Sequence, residues 1–202
     1  PRPATALEDA TLTDEALAKL DVIVVLRADT AELGEDGSDA HHEFSEDEVA
    51  ALEKWVRAGG GVMTTIGYQG DEAAEVVNVN RLLDPFGLGY STTNLDLDGL
   101  LEDWNADHPI SNGVSAISTV NGVEPIEGDG VVVARGPEDR IGVVAREVDA
   151  GHVIVFGDEW VTYDSEWEDT EEQQVELLWL NMIKWMSPAK ECQVDIPPVL
   201  IK

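Results

Sequence analysis

Cysteine is almost missing from this chain: Cys192 is the only one among 202 residues. A single thiol excludes an intramolecular disulfide, a cysteine-based zinc cluster and an iron–sulfur site within one chain. Positive charge is scarce too, with 12 Lys and Arg against 42 Asp and Glu and a formal net charge of -30. That field repels phosphate backbones and anionic lipid, so nucleic acid and membrane surfaces are poor partners. No apolar run reaches the roughly 18 residues that a membrane span needs. No signal peptide opens the chain. It starts at Pro1-Arg2-Pro3 and reads as a mature or trimmed product, so the start decides little about export.

What is present suffices for a core, since 43% of the residues are hydrophobic and wholesale disorder is thereby excluded. The length fits one domain over residues 1–202, with 187–202 as a surface tail, and no internal repeat interrupts it. The five lysines, at positions 19, 54, 184, 190 and 202, contrast with the abundance of acid. Low lysine with excess Asp and Glu fits a protein outside the cell or in a periplasm; the alternative is the cytoplasm of a high-salt organism. The plainest role of the acids is a solvated, self-repelling surface.

Asp21 to Leu26 (DVIVVL) is a continuous apolar run, the pattern of a strand buried on both faces. A helix over residues 45–58 follows a polar stretch. Ser45 is its N-cap, Glu48 completes a capping box, and Phe44 and Val49 form a hydrophobic staple. Val49, Leu52, Trp55 and Val56 make its apolar stripe, and Gly59, Gly60 and Gly61 end it. Residues 62–66 read as a second buried strand, 71–83 as a helix, and 95–105 as holding a short helix. Segments 130–135, 141–146 and 152–156 are β-rich, with separators short enough for hairpins. The last helix, about 170–186, turns Val175, Leu178, Trp179, Met182 and Trp185 inward. Ser187-Pro188 stops it, and Pro197-Pro198 lies in a tail expected to pack along the surface. The order of elements is α/β, with a mainly parallel central sheet flanked by helices and an antiparallel β extension. Pro1 to Leu20 is too polar for a strand, so a first strand is either lost with the start or replaced by another segment.

In its order of segments the chain resembles the class I glutamine amidotransferase-like superfamily, especially its non-amidotransferase and trehalose-utilisation-like branches. The resemblance rests on residues 20–25 (LDVIVV), 44–62 (FSEDEVAALEKWVRAGGGV), 80–88 (NRLLDPFGL), 108–114 (HPISNGV) and 151–158 (GHVIVFGD). It implies a flavodoxin-like sheet whose functional edge lies at the carboxyl ends of the strands. It also implies a catalytic cysteine on the turn after the strand at 62–66, where Tyr68 stands nearest the nucleophile's place. A histidine and a glutamate are implied after the closing strand, where the chain reads Gly157, Asp158, Glu159 and Trp160. The amidotransferase triad is therefore missing, because a phenol is a poor substitute for a thiolate and Cys192 lies beyond the final helix. Glutaminase activity is not expected.

Residues 158–167 (DEWVTYDSEW) should crown the carboxyl edge. Trp160, Tyr163 and Trp167 beside Asp158, Asp164 and Glu166 form the aromatic-and-acid mixture that suits sugars or cations. The plain alternative is that the tryptophans pin a loop over the last helix while the acids face water. Asp29 and Tyr68 should approach the same edge. His41 and His42 sit among Asp36, Asp39, Glu43 and Glu46, all of divalent-metal ligand type, but at no recognised metal spacing. His108 before Pro109 reads as a turn cap, and His152 as a half-exposed start of a strand.

The functional expectation is a non-catalytic ligand-binding or protein-interaction domain, a pseudoenzyme. Its site is Asp29, Tyr68, Asp158, Glu159, Trp160, Tyr163 and Asp164, and its partner is a small molecule, a carbohydrate or a protein. The alternative is a hydrolase acting on a carbohydrate or related small molecule, with Asp158 and Asp164 as acid and base. No catalytic residue, resident metal or cofactor is assigned in the first reading; the second allows assistance from a divalent cation such as calcium.

Salt screens exposed like charges over a Debye length of about 10 Å at 0.1 M. The melting temperature should therefore rise between low and high sodium chloride. A flat or falling curve would mean that the acids are already compensated.

Overall fold

Local signals start the layers. The computed structural model describes residues 11–26, 43–67, 74–168 and 173–187. Ser45 Oγ accepts the Glu48 amide at 3.3 Å, and Glu48 Oε2 accepts the Ser45 amide at 3.0 Å. The elements in chain order are α1 (Asp14–Leu17), β1 (Val22–Val25), α2 (Glu46–Arg57), β2 (Gly61–Thr64) and α3 (Ala74–Leu83). Then follow β3 (Gly89–Tyr90), β4 (Leu97–Leu101), β5 (Asp103–Trp104), β6 (Ile117–Gly122), β7 (Pro125–Ile126), β8 (Val131–Arg135), β9 (Ile141–Val148) and β10 (Gly151–Phe156). The chain continues with α4 (Asp164–Glu168) and α5 (Val175–Met186). The capping box thus opens α2 as its sequence requires. The other Glu48 oxygen accepts the Leu12 amide at 3.1 Å, tying the segment before α1 to the same cap.

The main sheet runs β1-β2-β10-β9-β8-β5. β2 pairs in parallel with β1 and β10, and the sheet continues through antiparallel β9, β8 and β5. This is the α/β, flavodoxin-like arrangement with its antiparallel extension. Strand alternation sends Val153 and Val155 to one face, under α2 and α3, and Ile154 and Phe156 to the other, under α5. Each face buries its own apolar layer. The hairpin from β9 to β10 has no room for a side chain at Gly151, because a Cβ there would strike the Val56 carbonyl.

Three expectations need correction. The strand at 21–26 is half-buried along its length, because β1 stands at the end of the sheet and is covered by a neighbour on one edge only among the described residues. No helix forms over 95–105: the chain makes β4 and β5, and β4 pairs with β6. Leu97 and Leu101 have helical spacing, but Gly99 at φ 121 breaks the register and the two leucines are buried in a bulged strand. The inner face of α5 is Val175, Leu178, Met182 and Met186, with Trp179 and Trp185 half-buried at its flanks. The expected tail with Pro197-Pro198, and Cys192, lie outside the described residues.

Tyr90 fastens β3 to the sheet. Its fully buried hydroxyl lies 2.9 Å from Thr64 Oγ1 and donates to the Phe156 carbonyl at 2.9 Å. Burial pushes this phenol far above its ordinary range, so it stays a donor. Tyr90→Phe removes both bonds and should cost about 1–3 kcal/mol. Thermal unfolding checks this, at about 2–4 °C per kcal/mol for a chain of this size.

Candidate functional site

The carboxyl ends of β1, β2 and β10 meet at one edge. The Thr65 amide donates to Val25 at 3.0 Å, and the Glu159 amide donates to Ile66 at 2.9 Å, so the three chain ends are stitched just past the strands. β6 crosses over them: the Val123 amide donates to Gly157 at 2.7 Å. That crossing needs Gly122, whose Cβ would lie 2.9 Å from Asp158 Cβ.

Asp158 is the centre of this edge and is 1% exposed. Its carboxylate accepts the Trp160 amide at 3.0 Å and, through the other oxygen, the Val120 amide. Burial pushes the carboxyl up to about 7, against the backbone N–H groups that favour its charged form. Glu159 points the other way. Its carboxylate packs against Gly67, where a Cβ would sit 2.6 Å from Glu159 Cδ, and it accepts the Tyr163 hydroxyl at 2.8 Å. Trp160 and Tyr163 meet edge to face with centroids 4.9 Å apart. A 3-10 turn over Trp160–Thr162 holds the set, closed by Thr162 Oγ1 on the Glu159 carbonyl at 2.7 Å.

Of the residues singled out in the sequence, Glu159, Trp160 and Tyr163 lie side by side, whereas the Asp158 side chain is buried beneath them on backbone amides. Asp164 stands apart, exposed at the start of α4. Asp29 and Tyr68 lie outside the described residues, as do His41 and His42. The acids do not all face water. Glu166 is buried and accepts the Ser118 hydroxyl at 2.7 Å. The tryptophans do pin the loop to α5: Trp179 Nε1 donates to the Val161 carbonyl at 3.0 Å, and Trp167 stacks on Trp179 at 6.4 Å. His108 caps its turn by accepting the Ile110 amide at 3.3 Å.

Two residues of the edge went unread in the sequence. Tyr90 supports Thr64 and Phe156 from below, and Glu75 of α3 is buried close enough to raise the Tyr90 phenol. The signals were a polar tip closing the run Leu88-Gly89-Tyr90 and a lone acid on the apolar stripe of α3. Among the described residues, no group of three or more His, Cys, Asp or Glu is arranged to hold a metal ion. No helix among them is long and apolar enough to cross a membrane.

The sign of the pH dependence follows from these environments. Asp158 keeps its proton in the fold up to about pH 7 but releases it near 3.8 when unfolded. Its contribution to stability is full below about pH 4, falls as pH rises towards 7, and is constant above. Asp158→Asn should gain on the native chain across that window, by about 4 kcal/mol at most. His108 and His152 act oppositely: burial lowers both, so their contribution is lost as pH falls below about 6.5. Urea unfolding of native chain and variant from pH 4 to 8 separates the two effects.

Comparison with known proteins adds fold and nothing finer. No family model matches the chain, and no curated protein matches it significantly. Among solved structures, the N-terminal domain of mmIFT52 is similar with a TM-score of 0.68 and 16% identity, covering 91% of this chain and 84% of that one. A cytoplasmic protein from Salmonella typhimurium LT2 gives 0.63 and 19%, covering 89% and 77%. A ThuA-like protein from Bacteroides uniformis gives 0.50 and 15%, covering 86% and 72%. The chain thus shares its fold with these proteins.

Proposed function

We propose that this chain is a non-catalytic binding domain of the glutamine amidotransferase-like superfamily, one that lacks the catalytic triad and takes a ligand or a protein partner. The observation that carries the reading is the engagement of the edge acids. Asp158 is spent on two backbone amides and Glu159 receives the Tyr163 hydroxyl. Groups so committed build a wall; they do not stand ready for nucleophilic or base chemistry, which needs a base within reach of a reacting atom. The aromatic edge of Trp160 and Tyr163 beside Glu159 suits a small polar ligand such as a carbohydrate. The acidic surface supports export or life at high salt.

One observation favours the hydrolase alternative. A carboxyl held protonated to about pH 7 is a competent general acid, and Asp158 meets that condition. Its near-complete burial weighs against contact with a substrate.

A thermal-shift screen of sugars and divalent ions, with and without chelator, tests the choice. One ligand class should stabilise the protein, and Glu159→Ala or Trp160→Ala should abolish the shift, while Cys192→Ser leaves it unchanged. Glycoside turnover that disappears in Asp164→Asn would hand the site to the hydrolase reading. Stabilisation that survives both edge substitutions would place binding elsewhere.

A further inference from the structure

Adjoining the edge, and sharing with it Thr162 of the 3-10 turn, lies a groove of about 440 Å³ whose walls are mostly apolar. One wall is a stripe on α5, Glu176, Trp179, Leu180 and Ile183; the other is Trp167 of α4 and Leu26 beyond β1. The apolar side chains here are unusually open to water: Leu180 is 59% exposed, Leu26 49% and Trp167 42%. Isolated exposed apolar residues need no explanation, but a contiguous set converging on a concave site does. Trp179 donates Nε1 to the Val161 carbonyl and Trp167 stacks against it, so the two indoles of the groove are oriented by contacts within the chain.

Spacing and charge identify the occupant. Residues 176, 180 and 183 stand one above another along α5, and seven residues of helix rise about 10 Å. A stripe of that length and period takes about two turns of a second helix, ridge into groove, through anchors at i, i+3 or i+4 and i+7. Among the described residues that line the groove Glu176 alone is ionisable, and it is exposed, as is Asp164 at the head of α4. Lys184 is the only cation on α5, in a chain of net charge -30. We infer that the groove between α4, α5 and the end of β1 docks an amphipathic helix of a partner protein, with an apolar stripe flanked by Lys or Arg. This rests on the protein-interaction form of the proposed function and names its surface and partner chemistry. An acidic helix meets repulsion here, and an anionic membrane meets the field of the whole chain.

The probe is a synthetic 18-residue Leu/Lys helix with one apolar stripe, titrated into the full chain by calorimetry and tryptophan fluorescence. It should bind, weaken as salt rises, and outbind both a Leu/Glu helix and a scrambled peptide of its own composition. Leu180→Asp, at an exposed position, should lower affinity by about tenfold or more. Val131→Asp, at an exposed position outside the groove, should change nothing, and Glu159→Ala, at the strand-end edge, should leave peptide binding intact. Loss of the ligand-induced thermal shift with retention of the peptide therefore separates the two readings. Absence of binding, equal binding of the scrambled or acidic peptide, or indifference to Leu180→Asp overturns the inference. So does self-association that Leu180→Asp abolishes, which assigns the groove to a second copy. Binding that emerges only when Leu200 and Ile201 are both replaced by Asp assigns it instead to the chain's own C-terminal segment.

Discussion

The burial of one carboxyl group organises the edge at which β1, β2 and β10 end. Asp158 stands two residues past Phe156, the last residue of β10, and its two oxygens reach backbone amides on β6 and on the following turn. A buried backbone N–H without a partner costs about as much as a lost hydrogen bond, so the acid satisfies donors that strand pairing leaves over. The crossing of β6 and the seat of Trp160 both draw on it. An acid in this place is a structural member that also carries a titratable proton.

How much of this is legible in the sequence depends on the range of the interaction. The capping box of α2 lies within four residues, and its reading holds to the atom. The hairpins joining β8, β9 and β10 are equally local, with turns formed by residues such as Glu138, Asp139 and Asp149 at positive φ. The helix expected near residue 100 fails because spacing alone cannot tell a bulged strand from a helical turn. Partner β6 decides the matter, nearly twenty positions away in sequence.

The site shows the same divide. The place of residues 158–163 follows from the strand that precedes them, since side chains after a parallel strand gather at its carboxyl end. Which acid is buried does not follow, because Asp158 and Asp164 look alike in sequence while one meets β6 and the other meets solvent. Tyr90 and Glu75 join the edge through contacts across α3 and the sheet, which no local pattern encodes. The two readings of the tryptophans divide between them: Trp167 stacks on α5 as a loop anchor, while Trp160 meets Tyr163 within the turn.

The margin of β1, which no described strand covers, bears on the solution behaviour of the protein. Val22, Ile23, Val24 and Val25 carry neither lysine nor proline to discourage a passing strand, and among the described residues their outer edge is unpaired. Most natural sheets guard such a margin locally. Here the guard is global, because every copy carries the same large negative field and approaches another against it. Colloidal stability and conformational stability are thus set in opposition: electrolyte that relieves repulsion within one molecule also relieves repulsion between molecules. Salt therefore acts twice, easing repulsion within the fold and easing the approach of copies at margins such as β1, whose outer edge no described strand covers.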